Sequence, residues 1–367
     1  MEWVNTVTGR ARPEELGKTL VHEHLLVGYP GWQMDALAPR FRRADALSRG
    51  VDRMQELQGF GVATFLDPCP MDLGRDVEFM AEVADRSGMR IICTTGAYKQ
   101  NEGLTYTFRA LAVEEIEAIY VKELTEGIGD SGIRAGLVKV ATGAPEISDY
   151  EKKLLVAGGR AAAAVGCPVL THTDHASLGL EQIAILKAQG VPPHRILVGH
   201  SDGRSDHAYH RSLADEGAYV GFDRFGIEVF ISDEKRIESV CQMIDAGYAR
   251  SVCLSHDATC ASWLGRPVFN GRVVMTPEAI AAAMPLWEAT HLFKRILPRL
   301  RDRGVTDADL QTIFVDNPRR YFLGDEPPSG GVRRTRLAGP SWRRGRRSRS
   351  SGALRHMRLG PDRQPPE

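Results

Sequence analysis

The sequence predicts an α/β protein folded as a (β/α)8 TIM barrel, and two regularities of the chain support this prediction. Short apolar runs of strand length begin 22 to 45 residues apart, and patterns with apolar positions every three or four residues separate them. Strands alternating with helices form parallel sheets through right-handed crossovers. Eight such units fit a closed barrel, although periodicity alone leaves an open doubly wound sheet as an alternative. The predicted strands are Thr19–Leu26, Ala63–Cys69, Arg90–Tyr98, Ala135–Thr142, Pro168–Asp174, Ile196–Asp202, Ala218–Gly226 and Ser251–Ala258.

The helical patterns between these strands commonly have a glycine near one end, which is typical of helix termini. They cover Arg75–Ser87, Val113–Gly127, Asp149–Val165, Leu178–Gln189, Asp206–Glu216 and Asp233–Ala246. After a long connection, patterns at Leu286–Leu300 and Asp307–Phe314 complete a predicted domain over 1–323. The remaining segment, 324–367, is rich in Pro, Gly, Ser and Arg and poor in apolar residues. We therefore predict a disordered, arginine-rich basic tail.

Composition restricts the class of protein. The chain has 367 residues, of which 43% are hydrophobic and 26% are charged, a balance typical of a globular enzyme. Eleven arginines and two acids fall in 332–367, so the preceding body holds 36 basic and 45 acidic residues and carries a net charge of −9. That sign argues against nucleic-acid or anionic-membrane binding by the folded body. The six cysteines are scattered without a CxxC pair, and no secretion signal or long apolar run is apparent, so we expect a cytoplasmic protein.

Polar residues of ligand type occur near the carboxyl ends of five predicted strands. The first strand carries His22 and His24, whose i and i+2 spacing places both imidazoles on one face. The other strands contribute Lys139 (fourth), His172 (fifth), His200 (sixth) and Asp257 (eighth). In a barrel these ends converge on one pocket. Burying so many polar groups without a compensating ion would cost several kcal/mol for each unpaired group, so we predict two divalent cations.

The combination of these residues resembles the phosphotriesterase family of the amidohydrolase superfamily. The matching stretches run from about Asn5 to Leu323 and include Val21-His22-Glu23-His24-Leu25, Gly136-Leu137-Val138-Lys139, Gly199-His200, Asp223-Arg224-Phe225-Gly226, Leu254-Ser255-His256-Asp257 and Asp316-Asn317-Pro318-Arg319-Arg320. The resemblance implies a binuclear centre. His22, His24 and Asp257 would hold the more buried ion, and His172 and His200 the more exposed one. Lys139 would bridge both ions as a CO2-derived carbamate. Imidazole and carboxylate ligands suit zinc first, with iron, cobalt or manganese as alternatives.

The same resemblance implies the chemistry. A hydroxide shared by the two metals would attack a carbonyl carbon, and Asp257 would act as both ligand and general base. Tyr98 after the third strand and Arg224 after the seventh resemble the phosphotriesterase-like lactonase branch. The expected substrates are therefore small lactones or esters, with hydrolysis of organophosphate triesters as a side activity. We also expect a homodimer.

Three alternatives stay open at this stage. The alternatives to this lactonase are a dedicated organophosphate triesterase (aryldialkylphosphatase), a mononuclear nucleobase deaminase, and a non-catalytic metal- or ligand-binding barrel. Lys139 argues against the deaminase, and the complete ligand set argues against the non-catalytic barrel. Two further histidines, His175 and His256, lie next to predicted ligands and are expected to point away from the pocket because side chains alternate along a strand.

Overall fold

A computed structural model describes residues 2–103, 106–269 and 273–325. The predicted tail lies outside these residues except for Gly324 and Asp325. Eight parallel strands, β1 to β8, form one sheet in chain order, so the predicted TIM barrel is confirmed and the open doubly wound sheet is excluded. The strands are Lys18–Leu20, Val62–Asp67, Arg90–Gly96, Leu137–Thr142, Val169–Thr173, Ile196–Val198, Tyr219–Phe222 and Val252–Leu254.

Helices surround the barrel, and some of them begin at a residue whose side chain caps the first turn. Ser148 and Asp206 each accept a hydrogen bond from a backbone N–H in the first turn of the helix that follows. Within the described residues, no helix is both long enough and apolar enough to cross a membrane. The α-helices are Arg43–Gly59, Val77–Ser87, Gln100–Gly103, Tyr106–Ala110, Val113–Thr125, Asp149–Val165, Gly179–Ala188, His207–Asp215, Asp233–Asp245, Pro277–Ala283, Leu297–Asp302, Asp307–Gln311 and Asn317–Leu323.

The barrel closes beyond the ends of β1 and β8, where the predicted strands Thr19–Leu26 and Ser251–Ala258 are each interrupted. The Asp257 N–H donates to the His22 carbonyl at 3.0 Å, and the His24 N–H donates to the Ala258 carbonyl at 2.9 Å. Two continuation strands, His24–Val27 and Thr259–Trp263, then pair in parallel. The seam between the first and last strands therefore passes through residues predicted to bind metal.

Side-chain alternation gives the barrel interior an apolar floor with a polar layer above it. Tyr321 and Phe322 of the final helix pack against this floor. The floor residues from the strands and from the residue after β1 are Val21, Leu66, Ile92, Leu137, Leu170, Leu197, Tyr219 and Cys253. Residues two or four positions further along a strand face the same interior nearer its carboxyl end. This spacing takes Leu137 to Lys139 and Leu170 to His172.

Glu23 fixes the seam from the outside of the barrel. Its side chain is fully buried, and its carboxylate accepts the His256 N–H at 2.8 Å, the Ala258 N–H at 3.0 Å and the His256 Nδ1–H at 2.5 Å. His256 therefore points outward, as alternation predicts, and its Nε2 accepts the Leu292 N–H at 3.0 Å. One carboxylate thus links β1 to the backbone on both sides of Asp257.

Replacing Glu23 with leucine should lower the free energy of unfolding by about 3 kcal/mol, because it leaves several buried donors without an acceptor. Urea denaturation followed by circular dichroism measures the change. Glu216→Leu is the control, since Glu216 forms only an exposed ion pair with Lys187, and such pairs contribute about 0–1 kcal/mol. Equal losses in the two variants would show that Glu23 does not stabilise the seam.

Candidate metal centre

A cavity opens at the carboxyl ends of the barrel strands, and all six predicted ligands line it, together with Tyr98 and Arg224. Five different strands or strand extensions therefore bring these side chains to one place, as the barrel topology requires. Apolar side chains form the outer walls: Val27, Leu73, Ile227, Phe230, Trp263, Val268 and Trp287.

His22, His24 and Asp257 meet at the seam. The Oδ1 atom of Asp257 lies 3.1 Å from His24 Nε2 and 3.6 Å from His22 Nε2. Asp257 adopts a left-handed backbone conformation with φ 57°, and so does His200 with φ 58°. Such conformations are uncommon for residues other than glycine and concentrate at functional sites. The Glu23 carboxylate and the seam hydrogen bonds support this conformation at Asp257.

Lys139 lies in the middle of β4 with only 2% of its surface exposed, and its Nζ is 3.2 Å from His22 Nε2. Burial lowers the pKa of this amine to about 7, because the charged form loses its hydration. A large fraction of the Lys139 side chain is therefore neutral at physiological pH. An unprotonated amine has a lone pair, so it can react with CO2, which an ammonium group cannot.

His200 and His172 occupy the other side of the cavity, with their ring centroids 4.6 Å apart. His200 Nε2 is 3.8 Å from Asp257 Oδ2. His172 Nε2 is 2.9 Å from Asp174 Oδ1, and its Nδ1 is 3.3 Å from the Tyr98 hydroxyl. The structure thus brings together the two histidines that sequence analysis predicted to share one ion.

Asp223 is a site residue that the sequence analysis did not identify as functional. Its fully buried carboxylate accepts the Nδ1–H of His22 at 2.8 Å and that of His200 at 2.9 Å. Gly199 and Gly221 make room for it, since a Cβ at Gly221 would lie 2.8 Å from Asp223 Oδ2. The signal for Asp223 was present in the chain, because it follows the floor residue Tyr219 by four positions, immediately beyond the end of β7.

The donor atoms of this cavity fit divalent metal ions. One ligand atom from each of His22, His200 and Asp257 lies within 4.8 Å of the others. Burial lowers the pKa of His22 and His172, and it lowers the pKa of His200 to about 3. These imidazoles are therefore neutral at physiological pH. Since Asp223 takes the Nδ1–H of His22 and His200, their Nε2 lone pairs are left toward the cavity, as metal ligation requires.

A second group, His24, Asp67 and Cys69, lies behind this centre. The Asp67 carboxylate already accepts the Leu25 N–H at 2.8 Å and the Cys69 N–H at 3.0 Å, and its Oδ1 is 3.3 Å from His24 Nδ1. Asp67 therefore orients the His24 ring from behind. Sequence analysis missed this residue as well, although it ends β2 next to the first strand.

Arg224 and Tyr98 adjoin the predicted ligands. Arg224 Nε donates to Asp257 Oδ2 at 3.1 Å, and its guanidinium lies over the Phe230 ring. The Tyr98 side chain is buried against His172, with the ring centroids 4.8 Å apart. The expectation for His175 was wrong: β5 ends at Thr173 and a turn follows, so His175 lies exposed at the cavity rim, edge-on to Phe230.

Comparison with known proteins agrees with this geometry. The profile of the Phosphotriesterase family matches residues 2–322. An aryldialkylphosphatase of Saccharolobus solfataricus is 31% identical over 84% of this chain and 96% of its own length, and a phosphotriesterase homology protein of Mycobacterium tuberculosis is 33% identical over 88% and 98%. An organophosphorus hydrolase of Deinococcus radiodurans superposes with a TM-score of 0.82 at 36% identity, covering 88% of this chain and 97% of that one. This chain is therefore a hydrolase that belongs to the phosphotriesterase family.

Proposed function

We propose that this hydrolase uses two divalent metal ions to open lactones and related carboxylic esters. The observation that carries the proposal is the convergence of four histidines, Asp257 and a buried Lys139 at one end of the barrel. His22, His24 and Asp257 would hold one ion, and His172 and His200 the other. Lys139 would bind both ions as a carbamate, so that anionic oxygens, and not the amine nitrogen, would be its ligand atoms. Zinc is the proposed metal, because it accepts imidazole and carboxylate ligands equally well.

When bound, the ions would supply an ionised water as nucleophile and would polarise the substrate carbonyl. The protein's own residues would do the rest. Asp223 keeps His22 and His200 in the tautomer that leaves Nε2 free. Asp257 has a carboxylate oxygen within 3.1 Å of His24 and is placed to accept the proton that the nucleophile releases. Arg224 stays bonded to the other oxygen of Asp257 and so orients that carboxylate.

We infer lactones rather than phosphate triesters as the main substrates from two features of the cavity lining. Tyr98 occupies the space beside His172, where its hydroxyl can donate to a substrate oxygen. Apolar walls formed by Phe230, Trp263 and Trp287 suit an acyl chain that extends from the reacting carbonyl. A solved relative, described as engineered for organophosphate hydrolysis from a weak promiscuous lactonase template, is 34% identical with a TM-score of 0.81 and supports this preference.

An activity panel on the metal-loaded protein tests the proposal. We expect two metal ions per chain and a kcat/KM for lactones that exceeds the value for an aryl dialkyl phosphate triester by about 100-fold, the discrimination that pocket contacts commonly supply. His22→Ala should lose bound metal and turnover together. His207→Ala is the matched control, because His207 lies on a helix outside the cavity and should leave both unchanged.

Other outcomes would identify the alternatives. A preference for the triester would indicate a dedicated organophosphate triesterase. One ion per chain with ammonia release from a nucleobase would indicate a deaminase, and metal binding without turnover of any substrate would indicate a non-catalytic barrel. The homodimer and the cytoplasmic location stay predictions.

A further inference from the structure

Lys99, which is buried, and Asp174, which is half-buried, form an ion pair at the edge of the candidate metal centre. Both carboxylate oxygens of Asp174 lie 2.8 Å from Lys99 Nζ, and Asp174 Oδ1 is also 2.9 Å from His172 Nε2. Lys99 is only 7% exposed. A chain of three groups therefore runs from a lysine on the loop after β3, through a carboxylate after β5, to a predicted metal ligand.

The backbone on both sides of Lys99 is fixed by buried carboxylates. Asp72 accepts the Tyr98 N–H at 2.9 Å, and Glu151 accepts the Gln100 N–H at 3.0 Å. Glu151 also accepts the Gly143 N–H at 3.0 Å, which ties this loop to the end of β4. The position of Lys99 is thus set before any ligand binds, and its ammonium group holds Asp174 at a defined place.

This arrangement determines which nitrogen of His172 faces the metals. A carboxylate accepts hydrogen bonds and a metal-binding imidazole carries one proton, so that proton of His172 lies on Nε2, beside Asp174. The Nδ1 lone pair, which faces the Tyr98 hydroxyl at 3.3 Å, is the one left for a metal. The ring is oriented in the sense opposite to His22 and His200, whose Nδ1 atoms donate to Asp223. Two separate carboxylates therefore orient the histidines on the two sides of the cavity.

We propose that Lys99 and Asp174 act as a positioning pair that orients His172 and thereby sets the affinity of the more exposed metal ion. This inference rests on the proposed binuclear function. Groups that hydrogen-bond to a metal-ligating histidine commonly change metal affinity by 10–100-fold when removed. Lys99 acts through Asp174, because its Nζ donates to the Asp174 carboxylate and also pairs with Glu102 Oε1 at 3.2 Å, whereas His172 is contacted by Asp174.

The test measures metal affinity rather than activity. Wild-type protein, Asp174→Asn, Lys99→Met and the double variant are loaded with Co2+ and titrated with a chelator, while the visible spectrum reports each ion. Asp174→Asn should weaken one of the two ions by about 10–100-fold and leave the other unchanged. Lys99→Met should weaken the same ion. The double variant should lose no more than Asp174→Asn alone, because the two residues act in series.

A matched control separates positioning from general stability. Arg75 and Glu123 form another bidentate ion pair, with distances of 2.7 and 2.8 Å, and neither residue lines the cavity. Glu123→Gln should lower the unfolding temperature without changing either Co2+ affinity. If Asp174→Asn or Lys99→Met binds both ions as tightly as the wild-type protein does, the inference is overturned, but the proposed function is not. Wild-type protein that takes up no metal would overturn the proposed function as well, so the two failures are distinguishable.

Discussion

Replacing Lys139 with alanine should abolish turnover, lowering kcat/KM by at least about 1,000-fold. The expected loss exceeds the 10–100-fold typical of groups that only support a ligand, because Lys139 would bind both ions itself. The substitution also removes the side-chain atoms beyond Cβ, including the Nζ that lies beside His22, and we expect a small anion to bind in their place. A short carboxylate such as propionate should therefore restore part of the activity, because its two oxygens replace those of the carbamate.

Carbon-13 NMR of wild-type protein loaded with metal and labelled bicarbonate should show a carbamate signal that Lys139→Ala lacks. Lys18→Ala is the control, because Lys18 lies at the start of β1, at the opposite end of the barrel, and bonds only to the Phe60 carbonyl. Full activity in Lys139→Ala would show that the carbamate does not exist. Activity that is lost but does not respond to any carboxylate would argue against the bridging role.

Replacing Arg236 with methionine should produce the largest loss of stability, about 3–5 kcal/mol, because it leaves buried carboxylates without their counterion. Arg236 is fully buried beneath the loop after β7. Its guanidinium donates to Asp202 at 2.9 Å and to Asp233 at 3.2 Å, and it also bonds to the Ile231 and Ile227 carbonyls. Thermal and urea unfolding measure the effect.

The same variant should lower activity, because Asp202 also accepts the Arg224 N–H at 3.0 Å and so holds the loop that carries Arg224 to Asp257. Arg204→Met is the control. Arg204 forms an exposed ion pair with Asp206, and its loss should cost no more than about 1 kcal/mol. Arg236→Lys keeps the charge but not the planar set of donors, and we expect it to restore only part of the stability. A loss in Arg236→Met no larger than in Arg204→Met would contradict the argument.

Much of the barrel was predictable because its signals are local. Each apolar run and each helical pattern is contained in a short stretch of chain, and the i+2 alternation carries Leu137 to Lys139 without knowledge of the fold. Closure was not predictable, because the Asp257 N–H meets a carbonyl more than 230 positions away. The interruptions in the first and last strands therefore appeared only in the structure.

The residues that converge in the cavity could be selected by residue type, whereas the carboxylates that contact their rings could not. A histidine near a strand end is conspicuous in a sequence, but a carboxylate such as Asp174 is equally common on a solvated turn. Arg236 gave no signal at all, because charged residues are expected on the outer face of an amphipathic helix. The pairing of Lys99 with Asp174 joins two loops 75 residues apart, and only the folded barrel brings them together.

The seam has a consequence for biosynthesis. Since His22 and His24 follow the first strand and Asp257 follows the last, a ribosome must release more than 250 residues before these side chains can meet. Until then the nascent chain exposes the unpaired edge of β1, and chaperones that shield such edges would find their substrate there. Chains that end before residue 257 would accumulate as inactive, aggregation-prone fragments instead of partly working catalysts.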